Sequence, residues 1–145
     1  MNIALVIAGG VGARMGQDIP KQFINVYDKP VILYTLEAFQ SHPQIDGIEV
    51  VCLAGWHDVI RAYAKQFGIS KLENIVSGGK NGQDSIRNGL YDIASRHSAD
   101  DDIVLVHDAI RPMLSQEIID DSLAVCKKYG NSITVVPCNA AMLKT

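Results

Sequence analysis

The sequence predicts an α/β domain with a mainly parallel sheet that is covered by helices on both faces. Apolar runs of strand length alternate with amphipathic helical stretches along the chain. Glycine pairs follow two of the apolar runs, and no repeat or low-complexity linker interrupts the 145 residues. Such alternation is typical of parallel sheets whose crossover helices cover the two faces. The predicted order is β-α-β-α-β-α-β-α-β.

The first half of the chain supplies two strands and two helices. Residues 3–7 (IALVI) form a continuous apolar run that ends in glycines, as expected of a strand buried on both faces. Pro30 opens a helical pattern with one apolar side, since proline is favoured in the first turn of a helix. Residues 49–53 are predicted as the second strand. The next helix covers 56–67 and ends at Gly68, a typical C-cap residue.

The second half repeats this alternation. Residues 74–76 are predicted as a short strand that ends in a glycine pair, and 84–95 as a helix. Residues 103–106 form another apolar strand. Residues 115–129 are predicted as a helix with a serine N-cap and a glycine after its last residue. Residues 132–136, which proline follows, are predicted as the final strand.

The composition narrows the class of protein. The net charge is −3, 48% of residues are hydrophobic and 20% are charged, which favours a globular domain over a disordered tail. The chain is not basic enough to suggest nucleic acid as its default partner, and no apolar run approaches the ~20 residues of a membrane span. The N-terminus lacks a signal-peptide pattern. We therefore expect a soluble cytoplasmic protein, with three cysteines in structural roles.

A glycine-rich loop, 9–16 (GGVGARMG), follows the first strand. Glycines let the backbone approach a ligand closely, and successive N–H groups form a nest for phosphate oxygens. The dinucleotide fingerprint fails because Met15 stands where a glycine is required, which argues against an NAD-type oxidoreductase. The P-loop pattern also fails, because Gln17 and Asp18 follow the last glycine. The loop indicates phosphate binding, and an ordinary strand-to-helix connection is the alternative.

Three motifs together resemble one enzyme family. The loop 9–16 with Pro20-Lys21-Gln22 resembles the signature of nucleotidyltransferases that activate sugar or polyol phosphates. The segment 77–90 is similar to a Gly-Gly…Ser…Gly-Leu segment, and 107–112 (HDAIRP) resembles a His-Asp-Ala-x-Arg-Pro motif. In this order they match the cytidylyltransferases that act on 2-C-methyl-D-erythritol 4-phosphate and on ribitol 5-phosphate. The resemblance implies a three-layer Rossmann-like nucleotidyltransferase fold.

The resemblance also implies a Mg²⁺-dependent transfer of CMP from CTP to a polyol phosphate, with release of pyrophosphate. Arg14 and Lys21 would be catalytic, since they would stabilise charge on the α-phosphate and on the leaving pyrophosphate. Asp108 would bind Mg²⁺, and Arg111 would face the phosphate of the acceptor. His107 is expected to be packed and hydrogen-bonded. The nucleotide would lie against seven small residues: Ala8, Gly9, Gly10, Gly12, Gly78, Gly79 and Ser85.

Each of these roles has a simpler alternative. Asp108 is also compatible with capping a helix, and Arg111 with an ordinary surface position. The segment with the glycine pair and Ser85 is compatible with a plain turn and N-cap. A nucleotide-binding module that has lost acceptor chemistry is the alternative to the enzyme as a whole.

The sequence departs from the family pattern at two places. Gly82 stands where the family usually has arginine, and Ala140-Ala141 stand where it usually has Asp-Thr. Family members also continue for a substantial further stretch, so the resemblance implies that 1–145 is a C-terminally incomplete nucleotidyltransferase domain of a homodimeric protein. Gly9 replaces the alanine usual in the methylerythritol enzymes, which favours ribitol 5-phosphate. The two products lead to isoprenoid precursors or to a cell-surface polymer.

Overall fold

The computed structural model describes residues 1–10, 19–97 and 99–137. Its elements alternate between strand and helix, apart from a short 3₁₀ turn and a hairpin after the first strand. The strands are β1 (Asn2–Ala8), β2 (Asn25–Val26), β3 (Lys29–Pro30), β4 (Gly47–Cys52), β5 (Leu72–Ser77) and β6 (Ile103–Asp108). The helices are α1 (Val31–Ser41), α2 (His57–Gln66), α3 (Gly82–Arg96) and α4 (Gln116–Tyr129), and the 3₁₀ turn is Lys21–Phe23.

Four of the strands form one parallel sheet in the order β5-β4-β1-β6. The strand β1 lies between β4 and β6, with Val6 opposite both Val50 and His107. The chain builds the sheet outward from β1 through β4 to β5, and then returns to place β6 on the other side of β1. The predicted α/β class with a mainly parallel sheet is confirmed.

Helices cover both faces of the sheet. Ala4 and Val6 of β1 face a large core, which α1, α2 and α4 complete with buried aliphatic and aromatic side chains. Ile3 and Leu5 face the opposite side, where Ile93 of α3 packs against them. This alternation along β1 places the apolar run between two helical layers. The three-layer arrangement is therefore confirmed, and no described helix has the length and apolar content needed to cross a bilayer.

Helix ends follow the local sequence signals closely. Pro30 occupies the N-cap position of α1, and the Ser115 hydroxyl accepts a hydrogen bond from the Ile118 N–H at the start of α4. Gly68 and Gly130 have φ of 68° and 85° just after α2 and α4. Because glycine adopts this left-handed conformation without steric cost, the two helices end where the sequence predicts.

A small hairpin that the sequence analysis did not predict connects the 3₁₀ turn to α1. Asn25 pairs with Pro30 and Val26 with Lys29, and Tyr27 lies in the turn with a φ of 58°. The Tyr34 hydroxyl donates a hydrogen bond to the Val26 carbonyl, which attaches the hairpin to α1. Strands of two residues are too short for an alternating pattern to be visible.

The predicted final strand, 132–136, is wrong for the described structure. Residues 131–137 have no strand conformation, and Ile133 and Val136 are each 84% exposed. The segment is rich in β-branched residues, but such residues form a strand only where a neighbouring strand pairs and packs with them. In the described part of the chain β6 pairs with β1 alone, and an apolar groove separates β6 from 132–136.

Candidate functional site

The strand order places a crevice at one edge of the sheet. The later strands of the sheet lie on both sides of β1, with β4 on one side and β6 on the other. In open parallel sheets a ligand binds beyond the carboxyl ends of the strands at this kind of reversal. Gly9 and Gly10 follow β1, the pair Gly78-Gly79 follows β5, and Ala109 follows β6. The predicted site segments therefore share this edge.

Two of the predicted nucleotide-binding segments are in direct contact. A Cβ atom added to Gly9 would lie 3.2 Å from the Ser85 Oγ and 3.8 Å from the Gly78 Cα. The Gly78 N–H donates to the Cys52 carbonyl at 2.8 Å, which extends the pairing of β4 and β5 into the glycine pair. The ends of β1, β4 and β5 thus meet around a surface made of backbone. A side chain at Gly9 would crowd this surface.

The Ser85 hydroxyl holds the turn between β5 and α3. It accepts a hydrogen bond from the Gly79 N–H at 3.0 Å and donates one to the Asn81 carbonyl at 2.9 Å. The N-cap of α3 is Asn81, whose side-chain oxygen accepts from the Asp84 N–H at 2.9 Å. A Cβ atom on Gly79 would come within 2.3 Å of the Asp84 Cβ. The turn is therefore tightly determined, and the Ser85 hydroxyl contributes through the shape of the loop.

Lys21 is the first residue of the 3₁₀ turn, and the residue after it contacts the end of β1. Lys21 is half-buried at the start of the turn, and no described residue forms an ion pair with its ammonium group. The next residue, Gln22, is buried and its amide donates to the Ala8 carbonyl at 2.7 Å. The Phe23 ring stacks on Trp56 with 4.2 Å between ring centroids. These contacts attach the turn to the ends of β1 and β4.

Asp108 and Arg111 form an ion pair after β6. The Arg111 Nε donates to the Asp108 Oδ2 at 2.7 Å, and the two side chains are 73% and 51% exposed respectively. Exposed pairs of this kind contribute about 0–1 kcal/mol to folding, because water screens both charges. A phosphate or a cation would therefore meet little resistance in separating them. The structure brings the predicted metal ligand and the predicted acceptor-binding residue together.

Hydrogen bonds from His107 and Thr35 fix the turn that carries this pair. His107 donates through Nε2 to the Arg111 carbonyl at 3.0 Å, and its ring packs edge-on against Phe39. The buried Thr35 hydroxyl donates to the Ala109 carbonyl at 2.9 Å. His107 is thus packed and hydrogen-bonded, as the sequence analysis predicted. Thr35 was missed because a single threonine in an apolar helix gives no local signal.

A fully protein-made metal centre is not present among the described residues, since no group of three or more His, Cys, Asp or Glu side chains converges. Asp108 at the strand end is instead compatible with a magnesium ion that takes one carboxylate together with phosphate and water oxygens. Two predicted site residues, Gly12 and Arg14, lie outside the described residues, as does the departure at Ala140-Ala141.

Cys52 behaves as a structural residue. Its side chain is buried at the end of β4, and desolvation raises the pKa of the thiol to about 11. A thiol that stays protonated at neutral pH is a poor nucleophile. This agrees with the expectation that Cys52 has a structural role.

The chain is similar to a set of curated proteins. A family profile described as IspD, 2-C-methyl-D-erythritol 4-phosphate cytidylyltransferase, matches residues 2–145. A ribitol-5-phosphate cytidylyltransferase of Lacticaseibacillus paracasei is 46% identical over 139 residues, covering 96% of this chain and 59% of that protein. A 2-C-methyl-D-erythritol 4-phosphate cytidylyltransferase of Clostridium botulinum is 36% identical over 144 residues, covering 99% of this chain and 61% of that protein. The chain thus spans about three fifths of these relatives.

Solved structures show the same architecture. A crystal structure of 4-diphosphocytidyl-2C-methyl-D-erythritol synthase matches with a TM-score of 0.71 and 25% identity, covering 88% of this chain and 55% of that chain. The corresponding synthase from Anaerococcus prevotii matches with a TM-score of 0.67 and 25% identity, covering 88% of this chain and 51% of that chain. The Rossmann-like nucleotidyltransferase fold is therefore shared with these neighbours.

Proposed function

The chain belongs to the 2-C-methyl-D-erythritol 4-phosphate cytidylyltransferase (IspD) family, and on that basis we propose that it forms the CTP-binding part of a polyol-phosphate cytidylyltransferase. The enzyme transfers CMP from CTP to the polyol phosphate and releases pyrophosphate. One observation carries the proposal. The glycine segments at Gly9 and Gly78 and the Asp108–Arg111 pair share the edge of the sheet where the strand order reverses.

The described backbone suits a nucleotide in two ways. Gly10 is exposed at the end of β1, where its N–H is accessible to a phosphate oxygen. Gly78 and Gly79 leave room for a planar base to approach the main chain of the turn. In this arrangement the triphosphate lies over Gly9 and Gly10, and the base lies toward the turn that Ser85 holds.

The reaction requires positioning and charge neutralisation. A phosphate oxygen of the acceptor attacks the α-phosphorus of CTP and forms a new P–O bond, while the bond to the bridging oxygen breaks and pyrophosphate leaves with that electron pair. Both reactants are anions, so cations near the α-phosphate lower the barrier. Lys21 and Arg14 supply this charge, and Arg111 binds the acceptor phosphate. Asp108 would hold Mg²⁺, which supplies further neutralisation when bound.

Ribitol 5-phosphate is the acceptor that we favour. The Lacticaseibacillus paracasei relative with that name is 46% identical to this chain, whereas the Clostridium botulinum relative named for 2-C-methyl-D-erythritol 4-phosphate is 36% identical. Gly9 supports the same choice, because the methylerythritol enzymes usually carry alanine at this position. The proposal includes the cytoplasmic homodimer that the family resemblance implies.

Pyrophosphate release tests the proposal. The complete natural protein is incubated with CTP and Mg²⁺, and with ribitol 5-phosphate or 2-C-methyl-D-erythritol 4-phosphate in separate reactions. We expect release with ribitol 5-phosphate. Release with 2-C-methyl-D-erythritol 4-phosphate alone would support the cytidylyltransferase activity and would show that our choice of acceptor is wrong. CTP binding without release in either reaction would overturn the enzyme in favour of a nucleotide-binding module.

A further inference from the structure

Gln22 is a buried amide that the proposed chemistry does not use. Its side chain is 1% exposed, yet glutamine is usually found at the surface. Both hydrogen bonds of its Nε2 go to the main chain of the predicted nucleotide loop, to the Ala8 carbonyl at 2.7 Å and the Gly10 carbonyl at 3.3 Å. These two carbonyls stand on either side of Gly9.

The amide fixes the orientation of the peptide that leads into Gly9. In a trans peptide the C=O and N–H point in opposite directions. Because the Ala8 carbonyl points toward Gln22, the Gly9 N–H points the opposite way, away from the 3₁₀ turn. Without this restraint a glycine-rich backbone has several accessible conformations, since glycine has few steric limits.

The same residue also determines where Lys21 stands. Gln22 is the middle residue of the 3₁₀ turn, so its amide joins the turn directly to the end of β1. Phe23 is held by its stacking on Trp56 and by a 2.8 Å hydrogen bond from its N–H to the Pro20 carbonyl. Lys21 thus precedes two anchored residues, and its position relative to Gly9 and Gly10 depends on the Gln22 amide.

We propose that Gln22 is a positioning residue, which fixes the distance and orientation between the phosphate-binding loop at 8–10 and the Lys21 cation. The proposal rests on the proposed function, because it concerns how the same site receives the triphosphate of CTP. The hydrogen bonds that the Gln22 amide forms with described residues go to backbone carbonyls, so its effect on the reaction passes through Gly9, Gly10 and Lys21.

Two substitutions of Gln22 separate this role from simple packing. Gln22→Met keeps the length and volume of the side chain and removes both donors. Gln22→Glu keeps the shape but places a carboxylate against two carbonyl oxygens. The matched control is Gln40→Met, since Gln40 also bonds to main chain, accepting from the Lys71 N–H at 2.9 Å before β5 begins. That contact lies at the opposite edge of the sheet from the nucleotide loop.

CTP affinity by calorimetry, with kcat and KM by pyrophosphate release, is measured for the complete natural protein and the three variants. We expect Gln22→Met to lose about tenfold in CTP affinity, as removal of two hydrogen bonds that orient the loop would give. The KM for the acceptor should stay within about twofold, and Gln40→Met should bind CTP as the wild type does. Gln22→Glu should recover affinity relative to the wild type as pH falls, since a protonated carboxyl regains one donor.

The possible failures are distinguishable. If the wild type binds no CTP, the proposed function fails. If the wild type binds CTP and folded Gln22→Met binds it equally well, the positioning role is wrong. An equal loss of affinity in Gln40→Met and Gln22→Met would also overturn it, because general destabilisation would then explain both. Should Gln22→Met fail to fold, an unchanged CTP affinity of Gln22→Glu across pH would overturn it.

Discussion

Three buried polar side chains at the carboxyl edge of the sheet form hydrogen bonds with main-chain groups. Gln22 bonds to the Ala8 carbonyl, Thr35 to the Ala109 carbonyl, and Ser85 to the Gly79 N–H. A buried polar group without a partner destabilises the fold, so each of these groups is expected to have a fixed role. In this chain each partner lies at the end of a strand or in a loop at the candidate site.

Substitution of Asp108 should lower the activity of the enzyme without lowering the stability of its fold. Asp108→Asn removes the negative charge that would hold Mg²⁺ and should reduce kcat/KM by about a hundredfold or more. Folding should change little, since the ion pair of Asp108 with Arg111 is exposed. Pyrophosphate release over a range of Mg²⁺ concentrations, together with thermal melting, checks both expectations.

The matched control for this substitution is Asp58→Asn. Asp58 forms an exposed ion pair with Arg61, three residues away, at 2.9 Å, as Asp108 does with Arg111. It lies in the first turn of α2, and no role in the reaction is proposed for it. Asp58→Asn should keep wild-type activity. If Asp108→Asn stayed as active as Asp58→Asn, Asp108 would have no role in the reaction.

At the scale of elements, α3 connects the core to the candidate site. Its C-terminal part carries Ile93 into the core beneath the sheet, while its first turn carries Asp84 and Ser85 against the glycine pair. A single rigid helix therefore transmits the position of the sheet to the nucleotide loop. Substitutions in the first turn of α3 should therefore affect nucleotide binding more strongly than they affect the packing of the core.

Two glycines near the start of α3 should respond in opposite ways to alanine. In Gly79→Ala the new Cβ would lie 2.3 Å from the Asp84 Cβ and 2.9 Å from its backbone, so the turn has to move. We expect a loss of about 1–3 kcal/mol in the free energy of unfolding, accompanied by weaker CTP binding. Urea unfolding and calorimetry with CTP measure the two effects.

Gly82→Ala is the control for this change. A Cβ on Gly82, the first residue of α3, meets no atom of another described part of the chain within 4 Å. The substitution should be neutral or stabilise the fold by up to about 1 kcal/mol, because alanine restricts the unfolded chain more than glycine does. Equal destabilisation by both substitutions would mean that the crowding at Gly79 is not the cause.

The elements that could be predicted from the sequence are those with a local cause. Gly68 and Gly130 end their helices through backbone conformation, and the apolar run in β1 is buried whatever its neighbours are. The segment 132–136 could not be predicted correctly, because its conformation depends on a pairing partner elsewhere in the fold. The same reason hid the contacts of Gln22, which the sequence analysis named only as part of a motif, and of Thr35, since their partners are respectively 14 and 74 residues away.

At the scale of the whole molecule, a second polar cluster stabilises the fold away from the candidate site. Glu49 of β4 is fully buried, and its Oε1 has no hydrogen-bond partner among the described residues. Arg96 at the end of α3 donates to Glu49, Glu73 and Asp92, and His97 contacts Glu73 at 2.7 Å. One guanidinium group is thus shared by three carboxyl groups.

The protonation of this cluster differs from one carboxyl to the next. Desolvation raises the pKa of Glu49 to about 8, and the neighbouring Asp92 charge adds to the effect, while Arg96 opposes it. Burial works against ionisation of Asp92 too, but hydrogen bonds from Asn74 and Arg96 outweigh it and lower the pKa of Asp92. Glu49 is therefore the group that keeps its proton at neutral pH.

This makes the stability of the whole fold dependent on pH. Because the pKa of Glu49 is raised from 4.5 to about 8, the folded state holds a proton that the unfolded state has released. The contribution of this proton to the free energy of unfolding is complete below pH 4.5 and is lost as pH rises to about 8. Over this range the free energy of unfolding falls by at most about 1.4 kcal/mol per pH unit. Urea unfolding at several pH values should show this decline in the wild type and in the control Glu37→Gln, whose carboxyl pairs with Lys29 near the surface. Glu49→Gln, which carries no titrating proton, should lack the decline, and a slope equal to that of the wild type would show that Glu49 is ionised in the fold.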